Sequence, residues 1–304
     1  MKVITIVVTI VVLLLLFFIG EMKQLVVKRY EIVHPDIPDN FHGLHIVHMS
    51  DLHGNCFGKK QERLREKIRE ENPDIIMITG DMVNFYDDKK VDDFIELLGW
   101  LSREYTVVYE PGNHEICSID RKDEERGEGY GSFVEKVKGT GAIYLDNAVF
   151  CWKPENSQTD QKGLFIYGLA LEKMYFGKLW NYVEPDAGHM EELIGPAKED
   201  GFNILLAHHP DYLEVYEEWG ADLVLSGHIH GGIARLPLIG GVLSPVMRLF
   251  PRYDGGVYMG KNHRTQMVLS RGLGSHTIPL RPFNPPELVV VTLKSENAGD
   301  GSHV

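Results

Sequence analysis

Five short motifs along the chain carry the residue types that bind divalent metals: Ser50-Asp51-Leu52-His53, Gly80-Asp81, Gly112-Asn113-His114-Glu115, Ala207-His208-His209-Pro210 and Ser226-Gly227-His228-Ile229-His230. Each alone is ordinary. An Asp-x-His pair is common, a Gly-Asp is usually a turn, and a histidine after a strand is usually only hydrogen-bonded. Together they offer carboxylate, amide and imidazole donors, a mixed oxygen and nitrogen set suited to Mn, Fe or Zn rather than to Ca or an iron–sulfur cluster.

The elements that must position these residues are short apolar runs rich in β-branched side chains. Leu44 to His48, Ile75 to Thr79, Thr106 to Tyr109, Leu164 to Tyr167, Ile204 to Leu206 and Leu223 to Leu225 read as buried strands. Leu25 to Val33 is strand-like as well. Between them, Leu64 and Ile68 mark one face of a helix over Gln61 to Glu71, and Phe94, Leu97, Leu98 and Leu101 one over Asp92 to Leu101. Strands alternating with helices predict a layered α/β fold. Five of the strands run straight into the five motifs, at the end of the sheet where open α/β folds place their sites. Gln266 to Ser270 and Leu288 to Leu293 are two further strands, expected to complete a second sheet. The charged stretch Asp120 to Glu128 reads as a solvated loop.

Composition narrows the partners. Against 44 Asp plus Glu there are 31 Lys plus Arg, a formal net charge of -13, which argues against a general nucleic-acid binder. Cys56, Cys117 and Cys151 are too scattered for a disulfide framework or a paired-thiolate zinc site. From Val3 to Gly20 there is no charge, a run of about 27 Å as a helix, close to the hydrocarbon thickness of a bilayer. A cleavable signal peptide is the competing reading, but the small-residue cleavage pattern is missing before Glu21. The expected organisation is therefore a single-pass transmembrane anchor over 1–24, one catalytic domain over 25–295 and a disordered tail over 296–304. Lys2 precedes the span and Lys23, Lys28 and Arg29 follow it, so basic residues leave the side of the domain open.

The order of the motifs, D-x-H, G-D, G-N-H-E, H and G-H-x-H, resembles that of the calcineurin-like metallophosphoesterases over roughly Ile46 to Leu293. The resemblance implies two mixed β-sheets flanked by helices and two divalent ions, Mn, Zn or Fe. Asp51, His53, Asp81 and His230 would hold the first, and Asp81, Asn113, His208 and His228 the second, with Asp81 as bridge. His114 would be a non-ligand histidine that sits over the substrate phosphate and protonates the leaving oxygen or steadies the transition state, and the first task suits a group titrating near the working pH. Two such ions supply an activated water and neutralise charge on phosphoryl oxygens. His209 falls outside the set, because neighbours on a strand point in opposite directions. Cys56 also falls outside it.

Gly80-Asp81 is followed by Met82-Val83-Asn84 rather than the Asp-Arg-Gly of the protein serine/threonine phosphatases. The apolar amino terminus, Gly231-Gly232, Ser270-Arg271-Gly272-Leu273-Gly274 and Pro285-Pro286-Glu287 are instead similar to a bacterial branch of membrane-associated phosphodiesterases. Some of that branch are similar to the hydrolase of UDP-2,3-diacylglucosamine. Arg271 is either a phosphate clamp or a surface residue packing the Gly-rich turn. Arg235 to Arg264 combines Leu236, Leu238, Ile239, Leu249 and Phe250 with Arg235, Arg248, Arg252, Lys261 and Arg264 against the single acid Asp254. Apolar plus basic suits an anionic lipid surface, and an ordinary lid over the sheet is the alternative. The expected function is a phosphodiesterase or pyrophosphatase acting at a membrane on a lipid-linked substrate, with no nucleic acid and no protein partner inferred. The rivals are a phosphatase or nuclease on soluble substrates and an inactive metal-binding scaffold.

Overall fold

The computed structural model describes residues 2–84, 88–116, 130–153, 163–177, 183–232, 235–236, 238–244, 248–275 and 281–298. Two six-stranded sheets lie face to face. The first has the order β1-β14-β2-β3-β4-β5, with β1 Val26–His34, β2 His45–Met49, β3 Ile75–Thr79, β4 Thr106–Glu110, β5 Ile143–Tyr144 and β14 Glu287–Ser295. The second has the order β12-β13-β9-β8-β7-β6, with β6 Ala148–Trp152, β7 Leu164–Gly168, β8 Phe202–Leu206, β9 Leu223–Ser226, β12 Gly256–Met259 and β13 Gln266–Leu269. A small hairpin, β10 Arg235–Leu236 with β11 Gly240–Gly241, stands apart. Both sheets mix parallel and antiparallel pairs.

The period of two along each strand divides the core into layers. Ile46, Ile75, Met77 and Val108 of the first sheet face Ile166, Ile204, Leu206, Leu225 and Val268 of the second. The alternate residues Val47, Ile76, Ile78 and Val107 face outward onto Leu64 and Ile68 of α2 (Glu62–Glu71) and Phe94, Leu98 and Leu101 of α3 (Asp88–Glu104). On the other side Leu205, Val224 and Met267 pack against α5 (Ala187–Ile194) and α6 (Leu213–Trp219), while α4 (Tyr130–Gly139) covers the first sheet. Strands buried on both faces must be apolar at every position, which is why they read as continuous runs.

Two expectations change. The last strand completes the first sheet, not the second: β14 lies between β1 and β2, antiparallel to β2 with Val289 opposite His48. A strand with Leu288, Val289, Val290 and Val291 all buried needs cover on both faces, and a central place supplies it. The transmembrane helix expected from Val3 to Gly20 is not found either. The first helix, α1, does cover Lys2–Met22, and its Ile4, Ile6, Val7, Val8, Ile10 and Leu13 are exposed. Taken over the described residues, however, no helix is long and apolar enough to cross a membrane, and the side chains of Val3, Val11, Leu14, Leu15, Leu16 and Ile19 lie outside those residues. Near the carboxyl terminus, the Asn297 side-chain amide donates to Pro35 O at 3.0 Å. Residues 299–304, and the loop expected from Asp120 to Glu128, lie outside the described residues.

Candidate metal centre

The parallel strands β2, β3, β4, β8 and β9 all end at one rim of the sandwich, so the motifs that follow them meet between the sheets. Cross-sheet hydrogen bonds fix the meeting. His208 Nδ1 donates to Thr79 O at 2.9 Å, joining the ends of β8 and β3. The backbone N–H of His228 donates to both carboxylate oxygens of Asp51 at 3.1 Å, joining β9 to β2. Ser50 Oγ donates to Thr79 O at 2.7 Å and lies 2.6 Å from Asp51 Oδ2. At two places the backbones approach so closely that only glycine fits: a Cβ on Gly227 would overlap Ser50 and the Asp51 carboxylate, and one on Gly112 would overlap Asp81. Asp51, His53, Asp81, His228 and His230 all have φ between 47° and 71°. Non-glycine residues adopt that region at a cost and chiefly where function demands a side-chain direction.

Two overlapping clusters result. In one, His230 Nε2 lies 3.4 Å from Asp51 Oδ1, and His53 Nε2 lies 3.2 Å from His230 Nε2 and 3.8 Å from Asp81 Oδ2. In the other, His208 Nε2 lies 3.2 Å from Asp81 Oδ2, with a donor atom of His228 within 4.8 Å of both. The protonation pattern suits metal binding. Thr79 O can only accept, so His208 carries a proton on Nδ1 and turns Nε2 inward, where it offers a lone pair once its own proton is lost. His53 Nδ1 faces Asn84 Oδ1 at 3.0 Å, while Asn84 Nδ2 faces His53 O at 3.4 Å, which fixes the amide and again leaves Nε2 as the lone pair. Holding the outer ring nitrogen in this way is how proteins orient imidazole ligands. His228 Nε2 and Asn113 Oδ1 are buried with no hydrogen-bond partner among the described residues, as atoms meant for a cation would be. The residues present therefore fit divalent metal.

The electrostatics agree. Burial holds His228 and His230 well below the usual histidine range, so they are neutral donors throughout the physiological range. Burial also lifts the Asp51 carboxyl to about 6, with the Asp81 charge adding to it. Asp81 goes the other way: burial alone would raise it, but His208, His114 and His53 outweigh burial and hold it well below the usual carboxylate range. For His208, burial works downward and is overcome by Asp81, Asp51 and Glu110, so its imidazole is held up to about 10. A ligand must give up its proton, so loading that nitrogen at neutral pH releases one. Metal affinity is expected to rise about tenfold per pH unit from pH 6.5 to 8.5, and more steeply below pH 6 where Asp51 is protonated too. Calorimetric Mn titrations at several pH values check this, and a flat affinity would remove His208 from the ligand set.

The other residues singled out in the sequence lie around these clusters. His114 Nε2 is 3.9 Å from Asp81 Oδ2, with its ring edge-on to His53 at 4.9 Å and its backbone N–H donating to Asp81 Oδ1 at 2.8 Å. His209 points away, stacked on Tyr212 at 4.6 Å and accepting from the Asp211 N–H, and Cys56 is exposed on the loop beyond. Arg271 is held by Glu287, with Nε at 2.6 Å and Nη2 at 2.5 Å, and packs beside Gly231 and Gly255. Sequence reasoning missed Glu115 as a staple. Its buried carboxylate accepts from the backbone of Asp81, Met82 and Gly112 and from Tyr109 Oη, and its place in the Gly112 motif was the available sign. It also missed Phe176, whose ring sits 5.4 Å from His228 and 5.3 Å from His209. A lone aromatic at the end of a short 3-10 helix, Lys173–Phe176, gives no sign.

A rim where strand ends from two packed sheets bring together buried imidazoles and carboxylates, the outer nitrogens of His53 and His208 pinned, makes a centre suited to metal-dependent hydrolysis. Residues 44–232 match the family of calcineurin-like phosphoesterases, and the chain belongs to that family. It is a metal-dependent phosphoesterase. It is 29% identical over 267 residues to an uncharacterized metallophosphoesterase, YkuE, of Bacillus subtilis, a match covering 86% of this chain and 82% of that one. It is 29% identical over 260 residues to the phosphodiesterase YaeI of Escherichia coli, covering 84% of each. A zebrafish (Danio rerio) relative named a transmembrane protein with metallophosphoesterase domain is 25% identical over 272 residues, covering 87% of this chain and 56% of that one.

Proposed function

We propose that the chain is a two-metal phosphodiesterase or pyrophosphatase working at a bilayer surface on a lipid-linked substrate. Asp51, His53, Asp81 and His230 hold one ion and Asp81, Asn113, His208 and His228 the other, Mn, Zn or Fe, with Asp81 between them. The ions supply an activated water and neutralise the phosphoryl oxygens. Glu115 holds the Asp81 backbone in place, and His114, beside Asp81 and less buried than the ligand imidazoles, gives its proton to the departing oxygen.

The observation that carries the lipid part is an apolar surface beside the site. Five residues after His230, β10 opens into a hairpin region where Leu236, Leu238, Ile239, Leu249 and Phe250 are exposed, Leu238 completely. The backbone of Arg235 donates to Pro282 O, and the adjoining Phe283 ring meets Phe17 and Phe18 of α1 at 6.2 and 5.4 Å. The exposed apolar residues of α1 and those of the hairpin thus flank one turn, and a bilayer would cover both. The zebrafish relative's name points the same way. The basic residues of the segment contribute less, since Arg235, Arg248, Arg252, Lys261 and Arg264 are paired with Asp254, Asp211, Glu214, Glu214 and Asp36. Attraction to membranes should therefore depend weakly on anionic lipid.

A panel of metal-loaded full-length protein against nucleotide-sugar lipids, glycerophospholipids and aryl phosphodiesters tests the reading. Acylated head groups should turn over faster than deacylated ones. Leu249→Ser with Phe250→Ser should reduce turnover of vesicle-borne substrate at least about tenfold and leave a soluble aryl diester untouched, since inserting two largely exposed apolar side chains is worth about 2 kcal/mol or more. Equal turnover of acylated and deacylated forms would favour a soluble phosphate ester.

A further inference from the structure

The turn over residues 281–284 does nothing in the mechanism above, yet two of its side chains are buried, Arg281 at 3% exposure and Asn284 at 0%. Both aim at the backbone of a metal-binding residue. Asn284 Nδ2 donates to His230 O at 2.6 Å and to Gly232 O at 3.1 Å. The Arg281 guanidinium donates through Nη2 to His230 O at 3.3 Å and to Arg271 O. Through Nη1 it donates to Gly272 O at 2.9 Å and Gly274 O at 2.7 Å.

These carbonyls belong to the two loops that bear on one cluster. His230, Gly231 and Gly232 are three successive residues with φ of 54°, 69° and 82°. Such a run turns its carbonyls away from any helix or strand partner, so donors must come from elsewhere. The 272–274 segment bonds in turn to the first motif: Leu273 N–H donates to Ser50 O at 3.0 Å and Gly274 N–H to Asp51 O at 2.7 Å. Arg281 therefore sits between the loop of Asp51 and the loop of His230. No hydrogen bond of Arg281 or Asn284 reaches Asn113, His208 or His228.

We infer that Arg281 and Asn284 are positioning residues for one metal site: they hold the backbone of His230 and Asp51 and so set the affinity of the Asp51–His53–His230 cluster, leaving the His208–His228 cluster alone. The inference rests on the assignment of Asp51, His53, Asp81 and His230 to one ion. A planar guanidinium that serves four carbonyls, and an amide that serves two, are choices that a lysine or an aliphatic residue cannot reproduce.

The test is a calorimetric and visible-absorption titration of the full chain with Co(II). The native chain should bind two ions, and one ion or none would sink the assignment itself. Given two, Asn284→Leu, which keeps the side-chain shape and removes both donors, should weaken one ion by about 10- to 100-fold, change its absorption bands and leave the other ion unchanged. Arg281→Lys, which keeps the charge, should weaken the same ion less, and it preserves the test if Asn284→Leu fails to fold. Phe283→Ala perturbs the same turn without removing a donor and should leave both ions bound as in the native chain. Unchanged titrations in the two donor variants, equal weakening of both ions, or a loss in Phe283→Ala as large as in Asn284→Leu would overturn the inference.

Discussion

Asp81→Asn is expected to remove both ions and, with them, turnover of every phosphate ester. The carboxylate is the meeting point of the site: Oδ2 lies 3.2 Å from His208 Nε2 and 3.8 Å from His53 Nε2, and Oδ1 accepts from the His114 N–H. An asparagine there would keep its carbonyl on the His114 N–H and turn its N–H₂ toward the imidazoles, placing two donors where a cation must sit. The loss should exceed the roughly 10- to 100-fold in affinity typical of changes outside the ligand shell, and should strike both ions because Asp81 touches both clusters. Equilibrium dialysis with metal analysis decides it. Retention of one ion at native affinity would mean that Asp81 does not bridge. With its main opposing charge gone, the His208 imidazole should also fall from the raised value it now holds, since Asp81 is the strongest group lifting it against burial.

His114→Ala should do the reverse, keeping two ions and slowing the chemical step by about 10² to 10⁴, the usual worth of general acid help. The defect should be largest for alkyl leaving groups, which need a proton, and small for aryl leaving groups, which do not. This separates the proposed proton donor from a ligand, a distinction that geometry leaves fine, because a donor atom of His114 comes within 4.8 Å of those of His53 and Asp81. Loss of an ion in His114→Ala would place the residue in the ligand set. An equal defect for alkyl and aryl esters, with both ions retained, would leave it a role in holding substrate.

The sequence by itself determined the family, the candidate ligand types and the strand ends that carry them. Buried strands such as β3 must be apolar throughout, so Ile75–Thr79 was legible to the residue, and the change from apolar run to Asp, Asn or His marks where a strand leaves the core for the rim. Local chemistry leaves local traces. The tertiary structure decided what depends on partners far along the chain: that β14 enters the first sheet opposite β2, that Thr79 O orients His208, that Glu287 takes Arg271, and that Arg281 and Asn284 hold His230. It also turned an apparent basic patch into a set of ion pairs. A backbone carbonyl has no side-chain signature, and a surface charge shows its partner only when the chain has closed on itself. Those contacts are therefore written in the packing and not in the motifs.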